Sequence, residues 1–214
     1  MIIKWLCILI GYAFGLLQTS YLYGRLRHID IREHGSGNAG TTNMLRTLGK
    51  KAGIITFVGD VIKAVLAIIV TGLIFRPDSE MVVLLQLFTG LGVILGHNFP
   101  FYLGFRGGKG IASSVGVAIM IQPWIALAMI LTFAVVILVS RYVSLGSLAM
   151  YLVFLVGVIV GAAGVFWQVP PDIRVQLGLM AVLLTILAFY QHRDNIRRLR
   201  IGCENKTNLF RKKQ

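Results

Sequence analysis

What this chain can fold into is constrained most by a succession of apolar runs long enough to cross a bilayer. They are Ile2 to Tyr23, a run after Lys50-Lys51 ending near Phe75, Met81 to Gly96, Ile111 to Ser140, Leu145 to Phe166 and Val175 to Tyr190. A helix needs ~20 apolar residues to span a ~30 Å hydrocarbon core, and only helices or closed barrels satisfy their backbone there. With 57% hydrophobic and 14% charged residues in 214, and a mean hydropathy of +0.80, an all-α integral membrane protein is expected. The whole of 1–214 reads as one polytopic membrane domain with a basic tail from 194 to 214, and no internal repeat stands out. Met1–Leu17 has the look of a signal peptide, but no small-x-small cleavage site follows it. It is read as an uncleaved first helix.

Charge sets the topology. The 21 Lys and Arg against 8 Asp and Glu give a formal +13. Such a balance suggests nucleic acid, but these residues occupy short loops between apolar runs. No nucleic-acid partner is expected; membrane lipids and anionic ligands fit better. The run Ile111 to Ser140 would be about 45 Å long as one helix, too long for a comfortable span. Taken as one helix, it would also send the basic tail outside. Split at Gln122-Pro123, it returns Arg141 and the tail to the inner side. Seven transmembrane helices follow, N-terminus outside and C-terminus inside, leaving only Lys4, Arg76 and Arg174 of the basic residues outside. Cys7 and Cys203 suggest neither a disulfide framework nor a metal site.

This topology brings three polar clusters to one face. The first, His34 to Arg46, carries Gly35, Gly37 and Gly40 among Ser36, Asn38, Thr41, Thr42 and Asn43. Glycines let backbone N–H groups approach an anion, and these side chains add donors. The second, Gly96 to Gly110, holds His97 and Arg106-Gly107-Gly108-Lys109. The third combines Ser144 with His192, Asn195, Arg198 and Glu204. His192 and Asn195 share a face of a helix, while Arg193, Arg197 and Arg200 share another that suits lipid headgroups. Gly35-x-Gly37-x-x-Gly40 is no dinucleotide fingerprint, since no strand precedes it. Arg106 to Gly110 is no Walker A loop, since Leu103 stands at the first glycine and Gly110 at the Ser/Thr position. Phosphate binding is expected; nucleotide binding is not. No metal-ligand grouping is apparent. Asp60 and Lys63, i,i+3 within the second span, read equally as a functional site and as a structural ion pair.

At these clusters the chain resembles the bacterial acyl-phosphate:glycerol-3-phosphate acyltransferases, the PlsY family, over nearly its whole length. Gly35-Ser-Gly-Asn-Ala-Gly-Thr-Thr-Asn-Met-Leu-Arg46 resembles the first family motif. Gly96-His-Asn-Phe-Pro and Phe105-Arg-Gly-Gly-Lys-Gly110 resemble the second. His192-Arg-Asp-Asn-Ile-Arg-Arg-Leu with Gly202-Cys-Glu-Asn-Lys206 resembles the third. Departures at Ala39, Thr41, Arg106 and Cys203 remove no group assigned to chemistry. The resemblance implies acyl transfer from acyl phosphate to the 1-hydroxyl of glycerol 3-phosphate, giving lysophosphatidic acid and phosphate, with no cofactor or metal. It implies a multi-pass enzyme of the bacterial inner membrane, its site facing the cytoplasm, functional as a monomer. Ser36, Arg46, Lys109, His192 and Asn195 would carry the chemistry. Gly37, Asn38, Thr41, Thr42, Asn43, His97, Gly107, Gly108, Gly110, Ser144, Arg198 and Glu204 would bind substrate or phosphate. The proton acceptor stays open between a substrate phosphate oxygen and His192. An anion transporter is the alternative, disfavoured because the polar clusters gather on one side. A CDP-alcohol phosphotransferase would need several intramembrane aspartates, and Asp60 is alone.

Overall fold

The computed structural model describes residues 1–207, and Arg211, Lys212 and Lys213 of the basic tail lie outside the described residues. Ten α-helices follow in order: α1 Ile2–Gly15, α2 Thr19–Leu26, α3 Thr41–Leu48, α4 Lys50–Phe75, α5 Val82–Asn98, α6 Ile111–Ile121, α7 Pro123–Ser140, α8 Val143–Val160, α9 Pro171–Gln191 and α10 Arg193–Arg200. Among the described residues, six helical stretches are long and apolar enough to cross a membrane, with α1 and α2 counted as one. The seventh apolar segment, α6, has 11 residues, about 16 Å of helix, and does not reach across a ~30 Å core alone. The split at Gln122-Pro123 falls where expected. Gln122 is extended, and Pro123 opens α7 at a position where its missing N–H costs no hydrogen bond.

Two expectations needed revision. The first run is not one continuous helix: it breaks between Gly15 and Thr19. Carbonyls freed by a break inside a membrane need partners. Gln18 Nε2 donates to Gly15 O at 3.3 Å, and Lys63 Nζ to Gly15 O at 3.3 Å and Leu17 O at 2.8 Å. Nor is the first polar cluster all loop, because its second half winds into α3. There Leu45 and Arg46 are exposed while Asn43 and Met44 are buried.

The bundle is tightest where α1 lies on α5. Gly11 and Gly15 on α1 meet Gly92 and Gly96 on α5, both pairs spaced i,i+4. A Cβ at Gly15 would lie 2.9 Å from the Gly96 Cα, and one at Gly92 would lie 2.9 Å from the Ile8 carbonyl carbon. Small residues so spaced let two backbones touch, which is how helices gain packing energy in lipid. Behind this pair, Leu84, Leu87, Met129, Met150, Leu177 and Leu184 fill a core shared by α5, α7, α8 and α9. At one end of the bundle the N-termini of α4, α6 and α8 meet the C-termini of α5 and α9, and there the three polar clusters converge.

Candidate active site

A cavity of about 710 Å³ opens at that end, and every residue expected at the site lines it. The lining also takes in residues the sequence did not single out: Asn98, Ser147 and Asn205, with an apolar wall that includes Phe57, Ile111, Val115, Ile130, Phe133 and Met150. Helical spacing carried a faint signal for some of them, since Ser147 lies i+3 from Ser144 and Phe133 i+3 from Ile130. The lining thus combines polar and charged side chains with apolar ones.

Asn43 organises the first cluster. Its Oδ1 accepts the Ser36 N–H at 2.9 Å, and its Nδ2 donates to Ile31 O at 3.1 Å and His34 O at 2.9 Å. The side chain expected to touch substrate is therefore spent on holding the turn, and it is 1% exposed. Gly35 and Gly37 turn with φ of 60° and 69°, conformations few L-residues adopt. The arrangement leaves Ser36, in the turn before α3, and Arg46, in the last turn of α3, both exposed. Asp30 pairs with Arg32 at 2.7 Å, and the Arg32 guanidinium donates to Leu103 O at 2.9 Å. The first cluster is thereby tied to the second.

In the second cluster, Gly107 N–H donates to Asn98 O and Gly108 N–H to His97 O, both at 3.1 Å. These two glycines were expected to offer their N–H groups to phosphate. They instead fasten the segment to the end of α5, whose last carbonyls lack helical partners. Among the described residues the N–H groups of Lys109 and Gly110 have no partner in the protein. Gly110, at φ 78°, caps α6. His97 lies 3% exposed beneath Gly108, with Nδ1 2.8 Å from Lys63 Nζ. Asp60 pairs with Lys63 at 3.0 Å.

Glu204 is the hub of the third cluster. Its carboxylate accepts from Ser144 Oγ at 2.9 Å, Asn195 Nδ2 at 2.6 Å and Arg198 Nε at 2.7 Å. Burial opposes its charge, but the hydrogen bonds from Asn195, Arg198 and Ser144 prevail and hold its pKa below the usual value. Asn195 passes the connection on, its Oδ1 accepting from Lys109 Nζ. Burial, with the Arg198 charge adding, draws the Lys109 ammonium down to about 8 against the pull of Glu204 and Asp194. His192 Nδ1 lies 2.8 Å from Ala188 O. Since a carbonyl only accepts, Nδ1 carries the proton and Nε2 keeps its lone pair. Burial first, then the Lys109 charge, push His192 down to about 4, so it is neutral at physiological pH. Arg193, Arg197 and Arg200 face outward, as the helical spacing indicated.

Fold and site define a polytopic membrane protein with one cavity lined by basic and by apolar side chains, as suits an enzyme that joins an anionic head to a lipid chain. Residues 5–202 match the family model described as glycerol-3-phosphate acyltransferase, and the chain belongs to that family. A glycerol-3-phosphate acyltransferase of Clostridioides difficile is 41% identical over 92% of each chain, and one of Thermoanaerobacter is 39% identical over the same shares. Two crystal structures of PlsY, an integral membrane glycerol 3-phosphate acyltransferase, superpose closely at 33% identity. The glycerol 3-phosphate form gives a TM-score of 0.82 over 97% of this chain and 99% of that one; the lysophosphatidic acid form gives 0.80 over 96% and 95%.

Proposed function

We propose that this chain transfers a fatty acyl group from an acyl phosphate to the 1-hydroxyl of glycerol 3-phosphate. The observation that carries the reading is the single cavity in which all three clusters meet an apolar wall. Both substrates bring phosphate, and one also brings an acyl chain. Arg46 and Ser36 hold the acyl-phosphate head, the guanidinium by charge-assisted hydrogen bonds and the serine hydroxyl as a further donor. The chain lies along Ile130, Phe133 and Met150. Lys109, with its own N–H and that of Gly110, holds the phosphate of glycerol 3-phosphate. Asn195 and His192 orient the glycerol.

Acyl phosphate is a mixed anhydride, so no enzyme nucleophile is needed, and alignment of two bound substrates supplies much of the rate. The glycerol 1-oxygen attacks the acyl carbonyl carbon. Charge builds on the carbonyl oxygen near Arg46 and Ser36, and the bond from that carbon to the phosphate-bearing oxygen then breaks. The hydroxyl proton goes to the departing phosphate. A His192 at about 4 is a weak base, whereas phosphate titrates near pH 6, so His192 Nε2 acts as the acceptor that aims the hydroxyl. The enzyme works as a monomer in the bacterial inner membrane, with the cavity facing the cytoplasm and with neither metal nor cofactor.

Purified protein given palmitoyl phosphate and glycerol 3-phosphate is expected to release lysophosphatidic acid and phosphate in equal amounts, and Lys109→Ala to release neither. Well-folded wild-type protein yielding no lysophosphatidic acid would refute the proposal.

A further inference from the structure

The buried charges of α4 are not used in the chemistry above, yet they connect to it. Asp60 and Lys63 are 2% and 3% exposed and lie one turn apart. Thr19 Oγ1 donates to Asp60 Oδ1 at 3.2 Å, and Lys63 Nζ reaches His97 Nδ1 at 2.8 Å. An ammonium only donates, so Nδ1 accepts, and the imidazole proton sits on Nε2. That edge of the ring faces Gly108: a Cβ placed there would lie 2.9 Å from His97 Cε1, closer still to Nε2, and 2.6 Å from Ala39 O. The His97 carbonyl accepts the Gly108 N–H at 3.1 Å and a bond from Gln18 Nε2 at 2.8 Å.

We infer that His97, clamped by Lys63 and Asp60, is a positioning residue: its imidazole is the support on which Gly108 rests, and it sets where Lys109 presents its ammonium and N–H to phosphate. This deepens the proposed function and rests on it. His97 then acts on the substrate through Gly108 and Lys109. The glycine is required because the ring and the Ala39 carbonyl occupy the space of a side chain.

His97→Asn tests this, since the Asn Oδ1 stands near the place of Nδ1 and keeps an acceptor for Lys63 while emptying the space under Gly108. The dissociation constant for glycerol 3-phosphate is measured by calorimetry, with KM, kcat and melting temperature, in His97→Asn, Gly108→Ala and the double variant. His97→Asn is expected to weaken glycerol 3-phosphate binding about tenfold, with the folded yield kept. In the double variant the ring no longer opposes the alanine methyl, although the Ala39 carbonyl still does, so the two changes couple favourably, the loss being several-fold smaller than the product of the single losses. Losses that simply multiply would overturn the inference. So would a His97→Asn protein with less folded material but wild-type binding and KM, which marks a purely structural histidine. Calorimetry needs no acyl donor. Failure of the acyl-phosphate reading would therefore show as a wild type that binds glycerol 3-phosphate without turnover, separate from either result.

Discussion

Replacing Glu204 by glutamine puts the third cluster to a quantitative test. Oε1 takes the bonds from Ser144 and Asn195, and Oε2 takes the one from Arg198. Glutamine keeps a single acceptor oxygen. Placed at Oε1, it turns its NH2 toward the Arg198 Nε–H, donor against donor; placed at Oε2, it turns its NH2 toward the Asn195 NH2, while the Ser144 hydroxyl can rotate to accept. Either choice loses a charge-assisted bond worth about 1.5–3 kcal/mol. If about 2 kcal/mol of that appears as misplacement of Asn195 and Lys109 in the transition state, kcat/KM for glycerol 3-phosphate falls roughly thirtyfold. A second effect has a fixed sign. Glu204 raises the pKa of Lys109, which stands at about 8, so removing the charge lowers it. The alkaline limb of the pH profile of kcat/KM, where Lys109 loses its proton, moves to lower pH. The assay is phosphate release across the neutral and alkaline range with purified, correctly inserted protein. A Glu204→Gln enzyme with wild-type kcat/KM and an unmoved alkaline limb would refute the reasoning.

Other expectations follow from the same geometry. Asn43→Ala removes all three bonds that hold the first turn and should abolish turnover while the helices still insert, checked by activity and circular dichroism. Gly92→Leu drives a side chain into the backbone of α1 and should leave little folded protein on size-exclusion chromatography. The folded state depresses the His192 pKa from 6.5 to about 4, so the unfolded chain takes up this proton first. Stability from this group is full above 6.5 and falls as acid is added toward about 4, by up to about 3 kcal/mol. Melting temperature should therefore drop less with acid in His192→Gln than in wild type, and equal slopes would count against a buried neutral His192.

Local physics made much of the molecule legible before any coordinates. Apolar length gave the spans, and Gln122-Pro123 gave the split, because a proline removes its donor wherever it sits. Glycines among Ser, Thr, Asn and Arg marked the clusters that line the cavity. The break after Gly15 was hidden because Lys63, which donates to the carbonyls of Gly15 and Leu17, is distant in sequence and only the fold brings it there. The bonds that Asn43, Gly107 and Gly108 make within the protein were hidden for a related reason. Residue type reveals a capacity to donate hydrogen bonds, but the carbonyls that consume those bonds belong to α5 and to the turn before α3. The apolar wall was unreadable because Ile130 and Met150 look like any other lipid-facing or core residues of a membrane helix.

The central claim concerns the donor, and one comparison tests it directly. Purified protein in lipid vesicles receives glycerol 3-phosphate with either palmitoyl phosphate or palmitoyl-CoA, in the presence of a metal chelator. Lysophosphatidic acid formed from palmitoyl phosphate, matched mole for mole by released phosphate and absent with the thioester, is the predicted result. Product from palmitoyl-CoA alone, or from neither donor, would contradict it.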